Sequence, residues 1–331
     1  MNSFYRDLLK SAWQISRKNP LLWILGLFVA FLGNGGELQT LFNYISRLRA
    51  ETDLAVSHNL ISSLTTIWNK IDPTFSGIAL ASLTLLVGLI VTIVFVWFII
   101  SSLGGLILGA KQAHEGQKNN YLVLLNSGNK KFWELFGLNI AAKIIIYAFL
   151  ILILTPLISV AFSQGNMTFN YFVAFLAFLL FVPLSIIIAL VTKYASAEVM
   201  LKSEKFWNAF KNGWRLFSAN WLISMEMAVI AFVINILVGL AVIVVAGVLI
   251  APIFLVAIVY TPNNLPLFST LIYLGVSILL LVSAFVGSVL AVFQTSLWTI
   301  LYLKINGPDK IYSKLVRLAV AGLVKWKKRS A

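Results

Sequence analysis

The sequence predicts an all-α transmembrane protein of about six spans in three repeated hairpins, each preceded by a cytoplasmic-side amphipathic helix. Three observations predict it. Hydrophobic residues make up 60% of the chain and charged ones 11%, whereas a water-soluble domain carries about 25% charged residues. Long uncharged blocks alternate with basic segments. A Trp-x5-Asn pattern recurs in register with those blocks. With a mean hydropathy of +0.94, the polar surface is too small to cover a body of this size in water, and lipid must replace much of that water.

A helix needs about 20 apolar residues to cross a hydrocarbon core of about 30 Å. The first candidate, Leu21 to Gly36, is uncharged but short. Arg17 and Lys18 before it give it some signal-peptide character, but no small-residue cleavage pattern follows Phe31-Leu32-Gly33. It is therefore read as a span, whose length leaves open whether it crosses fully. The second span lies at roughly 77–110, inside the uncharged stretch from Pro73 to Ala110. No charge occurs between Lys143 and Lys193, which gives two spans broken at Ser163-Gln164-Gly165-Asn166. None occurs between Glu226 and Lys304, which gives two more, broken at Thr261-Pro262-Asn263-Asn264-Leu265-Pro266. Turn residues end helices at both places. Runs longer than the bilayer requires must tilt, kink or project, and Pro183 and Pro252 are the natural kink points.

Orientation follows from the basic residues. Of the 25 lysines and arginines, all but Arg47, Arg49 and Lys70 fall on one side of the predicted topology. That split places both termini in the cytoplasm of a multi-pass cell-membrane protein. The same distribution, with neither a basic groove nor zinc-ligand spacing, excludes nucleic acid as the explanation for a net charge of +14.

The repeat markers are Trp13 and Asn19, Trp133 and Asn139, and Trp214 and Asn220. Each pair precedes an outgoing span. Leu135-Phe136 matches Leu216-Phe217, and Ala148-Phe149 is similar to Ala231-Phe232. The segments before the pairs read as in-plane amphipathic helices. In 204–219, Phe206, Phe210, Trp214 and Phe217 share one helical face and Lys205, Lys211 and Arg215 lie largely elsewhere. Headgroups and neighbouring helices are both suitable cover for that face. The chain is thus one integral membrane domain, 1–331, with repeat units of about 1–110, 111–202 and 203–307. The first external connection, about 37–76, is long and polar, and holds Glu37, Glu51, Asp53 and Asp72.

The aromatic-basic entry from Phe206 to Asn220, with the closing run Ser296 to Leu303, resembles the membrane domain attached to some bacterial glycerophosphodiester phosphodiesterases, and related stand-alone six-span proteins. The resemblance covers most of the chain through loose motifs. It implies a six-helix membrane fold. It does not imply phosphodiesterase activity, which in such fusions resides in a separate soluble barrel of about 250 residues. His58 and His114, the two histidines, are predicted on opposite sides of the membrane.

Intramembrane charges tend to pair or to line cavities. Lys143 and Glu226 sit early in two outgoing spans and form a candidate ion pair, with snorkelling to the interface as the rival reading. Asn235, Gln294 and Thr295 form a candidate polar patch, which serves either a solute path or ordinary hydrogen bonding between helices. Gly105 with Gly109, and Ser283, Gly287 and Ala291, permit close helix approach. His114-Glu115 supplies too few ligands for a metal. The tail 308–331 is basic and amphipathic, and Lys325, Trp326, Lys327, Lys328 and Arg329 suit an anionic membrane surface, each basic residue contributing about 1 kcal/mol there.

There is no HExxH and no GxSxG, and the absence of cysteine excludes disulfides and thiolate ligands. The expected function is non-enzymatic and cofactor-free: organising lipid, anionic at the cytoplasmic face, or docking a membrane or cytoplasmic protein partner. The alternative is a carrier or permease for a small solute or lipid, since transporters often carry internal repeats.

Overall fold

In lipid every backbone N–H and C=O must be satisfied within its own segment, so uncharged runs of this length fold as helices. The computed structural model describes residues 3–32, 75–162, 167–260 and 265–307, and there is no strand among them. In chain order the helices are α1 (Ser3–Lys18), α2 (Leu21–Ala30), α3 (Phe75–His114), α4 (Tyr121–Lys130), α5 (Phe132–Phe162), α6 (Met167–Lys202), α7 (Phe206–Ala219), α8 (Trp221–Tyr260) and α9 (Leu265–Ile305).

Five of these, α3, α5, α6, α8 and α9, are long and apolar enough to cross a membrane. The expected first span is represented by α2, whose 10 residues rise about 15 Å, half of a hydrocarbon core. The first external connection, His58 and the basic tail 308–331 lie outside the described residues, as do the turn residues at 163–166 and 261–264. Pro183 and Pro252 lie inside α6 and α8.

The chain divides into two compact units. One comprises Met1–Leu32, Ile100–Asn139 and Leu190–Ala331, and the other Gly33–Ile99 and Ile140–Ala189. In the second unit, Ile146 and Leu150 of α5 pack with Phe181 of α6, flanked by Ile153, Phe178 and Ile188. Most side chains of α3 between Ile78 and Phe95 are apolar and exposed, as a lipid-facing surface requires.

The core of the first unit is made by the C-terminal halves of three helices. Residues 194–200 of α6 are all buried, as are 296–302 of α9 and most of 100–110 of α3. The short amphipathic helices pack on these halves through small residues. Gly128 of α4 lies against the Ser101 carbonyl and the Gly105 amide of α3. Gly213 of α7 lies in the same way against the Val191 carbonyl and the Ala195 amide of α6. A methyl group on Gly213 would meet Ala195 N at 2.8 Å and Val191 O at 3.0 Å, so only glycine allows this approach. On α9, Ser16 Oγ of α1 donates to the Val289 carbonyl at 3.2 Å, and Trp13 packs edge-on to Phe293. Gly26 of α2 then fits against the Ser288 carbonyl and Val292.

One sequence expectation needs correction. The charge at Lys193 set the expected end of the fourth span, yet α6 continues to Lys202 and buries that stretch. In α7 the residues buried against protein are Ala209, Gly213 and Phe217; of the aromatic face, Phe217 alone is among them. Small residues bring helix axes together, and Trp214 is left exposed. Gly105 and Gly109 pack internally, against Leu124 and against Leu22 with Leu124.

Candidate functional site

The three repeat asparagines share one local bond. Asn19 Nδ2 donates to the Ile15 carbonyl at 3.0 Å, Asn139 to Leu135 at 2.8 Å and Asn220 to Leu216 at 3.1 Å. Each reaches back four residues, along its own helix. Asn19 and Asn220 follow helix ends, and each also donates its backbone N–H to the same carbonyl, at 3.2 and 3.1 Å, while Asn139 lies within the continuous α5. The paired tryptophans are all exposed: Trp13 is 53%, Trp133 76% and Trp214 52% exposed. Trp207 and Trp221 are exposed as well. On α7, Trp207 and Trp214 are seven residues apart, two turns along one face, and Lys211 and Arg215 are exposed beside them. Indole with basic side chains on a solvent- or lipid-facing flank is the chemistry of a headgroup interface.

The structure places the other sequence-predicted residues as follows. Glu226 accepts a hydrogen bond from the Tyr5 hydroxyl of α1. Lys143 is half-buried and belongs to the second unit, whereas Glu226 belongs to the first. Gln294 of α9 donates through Nε2 to Asn235 Oδ1 of α8, which joins two members of the polar patch, while Thr295 is half-buried. Lys325 to Arg329 lie outside the described residues. His114 is the last residue of α3, and no metal-ligating cluster occurs among the described residues.

An ionic centre absent from the sequence reading lies in the core of the first unit. Glu198, 3% exposed at its side chain, accepts at Oε1 from the Tyr302 hydroxyl at 2.9 Å and from Lys202 Nζ at 3.0 Å. Its Oε2 is buried with no protein partner. One turn earlier, Tyr194 Oη and Ser224 Oγ lie 2.7 Å apart. Ser224 donates to the Asn220 carbonyl at 2.9 Å. A hydroxyl has one proton to give, so Tyr194 is the donor in the first bond. The run Tyr194, Ser224, Asn220 thereby ties the core of α6 to the last repeat marker.

Lys193 stands beside this centre, with Nζ 4.6 Å from the centroid of the Trp298 ring. A cation–π contact contributes about 0.5–2 kcal/mol, depending on how far it is desolvated, and a lysine within a membrane helix carries a cost that rises towards the bilayer centre. The indole offsets part of the cost. Trp298 Nε1 is itself buried without an acceptor.

These groups left a faint trace in the sequence. Tyr194, Glu198 and Lys202 are spaced by four, and so are Trp298, Tyr302 and Asn306, which puts each trio on one helical ridge. Between α8 and α9 a groove of about 140 Å³ is lined by Val238, Ala241, Val242, Val245, Val282 and Val286, all aliphatic. Comparison of the chain with protein-family models, with curated proteins and with solved structures gave no match.

Proposed function

We propose that this chain is a non-enzymatic, multi-pass protein of the cytoplasmic membrane that organises anionic lipid at the inner leaflet. Its six spans, the number that the resemblance to phosphodiesterase membrane domains implies, form three hairpins, and the distribution of lysine and arginine supports both termini inside. In this reading the segment from Leu21 to Gly36, which contains α2, is the first span. A membrane or cytoplasmic protein partner docks on the same aromatic-basic faces.

The observation that carries the proposal is the shared exposure of Trp13, Trp133 and Trp214, each six residues before an asparagine that closes on its own helix. Exposed indoles beside Lys211 and Arg215 match a negatively charged headgroup layer. The aliphatic groove between α8 and α9 favours lipid chains over a polar solute, and so favours this reading over a carrier of small solutes.

The test is native mass spectrometry of the protein released from nanodiscs that contain anionic and zwitterionic lipid in equal amounts. The wild type should leave enriched in anionic lipid. Replacement of Trp13, Trp133 and Trp214 together by Ala should bring the retained ratio back towards that of the bilayer. An unchanged ratio in the triple variant would sink the proposal.

A further inference from the structure

We infer that Lys193 and Trp298 form a binding site for a phosphate group, supplied by a membrane phospholipid or by free phosphate. Three observations lead there. Lys193 Nζ lies over the Trp298 indole, and among the described residues it has no carboxylate partner, unlike Lys111, Lys131 and Lys202, which pair with Glu115, Glu134 and Glu198. Trp298, which is 6% exposed, has its Nε1–H buried and without an acceptor. The nearest acid along the helix, Glu198, is already engaged by Lys202 and Tyr302.

The pair therefore offers two donors and lacks an acceptor. An indole face stabilises an ammonium only in part, and it cannot neutralise the charge. A charge in a membrane helix ordinarily finds an opposite charge or lines a site, and Lys193 is half-buried. A compact ammonium binds a phosphate as a point charge, and an indole N–H adds a directed hydrogen bond. Lys193 precedes the end of α6 by nine residues, and its neighbour Tyr194 is linked through Ser224 to Asn220, at the entry to α8. In the proposed topology that is the level just inside the inner-leaflet headgroups, where phosphodiesters are the abundant anions.

The inference rests on the chain being a membrane protein but not on the tryptophan faces. The experiment is native mass spectrometry of detergent-released wild type, Lys193→Met, Lys193→Arg and Trp298→Phe, with a ³¹P NMR titration of delipidated wild type by inorganic phosphate. If the source is lipid, the wild type retains one phospholipid per chain. Lys193→Met then lowers that occupancy about tenfold, Lys193→Arg keeps most of it, and Trp298→Phe lowers it by a smaller factor. If the source is free phosphate, no lipid is retained, and the ³¹P signal of added phosphate broadens and shifts at millimolar concentration. A folded wild type that shows neither response overturns the inference, as does a Lys193→Met variant that retains lipid like the wild type. Should Lys193→Met fail to fold, the wild-type measurements and the Trp298→Phe comparison still decide. The triple tryptophan variant should keep this single lipid, which separates failure here from failure of the surface reading.

Discussion

Tyr302 donates its hydroxyl to Glu198 across two helices that run parallel and in register. Glu198 meets Tyr302, and Lys202 one turn later meets Asn306 at 3.4 Å, with the same separation of 104 residues in both pairs. Tyr194 packs on Trp298 one turn before. The carboxylate is held by a partner that is remote in the chain, so its contribution can be isolated. Tyr302→Phe should cost about 1.5–3 kcal/mol, the usual contribution of a hydrogen bond to a charged group. A double-mutant cycle with Glu198→Gln, read by thermal unfolding in detergent, should show clear non-additivity. Additive losses would mean that the bond contributes nothing of its own.

The glycines offer a sharper contrast. A Cβ on Gly128 would overlap the Ser101 carbonyl and approach Gly105 N at 2.8 Å. Gly128→Ala and Gly213→Ala should therefore each destabilise by about 1–3 kcal/mol, the range for overpacking, with Gly128 the worse. Gly88, Gly239 and Gly247 have nothing within 4 Å of such a methyl. Alanine there should be neutral or stabilise by up to about 1 kcal/mol through helix propensity. Denaturant titration in mixed micelles would rank the five variants.

Ser203 ends α6 with φ of 58°, the left-handed conformation that glycine adopts without strain. Ser203→Gly should raise stability by about 1 kcal/mol, and Ser203→Val should lower it, because a β-branched side chain is strained there. A lowered melting temperature for Ser203→Gly would contradict the assignment of this residue as a helix terminator.

The chain contains no cysteine, so single cysteines can map its topology without a background to remove. With three hairpins, Gln164→Cys and Asn264→Cys should react with an impermeant maleimide from outside intact cells. Gly116→Cys and Ser203→Cys should react only after permeabilisation. Labelling of positions 164 and 116 from the same side would rule out the six-span arrangement.

The helical class and the tryptophan–asparagine markers were legible because they depend on local rules: uncharged length, and spacing along one helix. The buried face of α7 was not. Periodicity finds the aromatic stripe of Phe206, Phe210 and Trp214, but close packing selects Ala209 and Gly213, and the bilayer accepts indole as readily as a neighbouring helix does. Glu198 escaped for a different reason. A charge reads as the end of a span unless its partners are known, and Tyr302 lies far along the chain. Asn235 and Gln294 could be nominated as polar residues in apolar spans, but their bond to one another depends on how α8 and α9 align.

The docking of α1 and α2 on α9 has a consequence for biosynthesis. Ser16 and Val289 are 273 residues apart in the chain, so α1 and α2 leave the ribosome well before the helix on which they seat. At about 5–20 residues per second, that wait is on the order of tens of seconds. During it the amphipathic α1 and the short α2 must rest at the bilayer surface or on an insertase. A truncation that removes α9 therefore leaves α1 and α2 without their binding partner, and a quality-control protease would find its handle on them rather than at the cut.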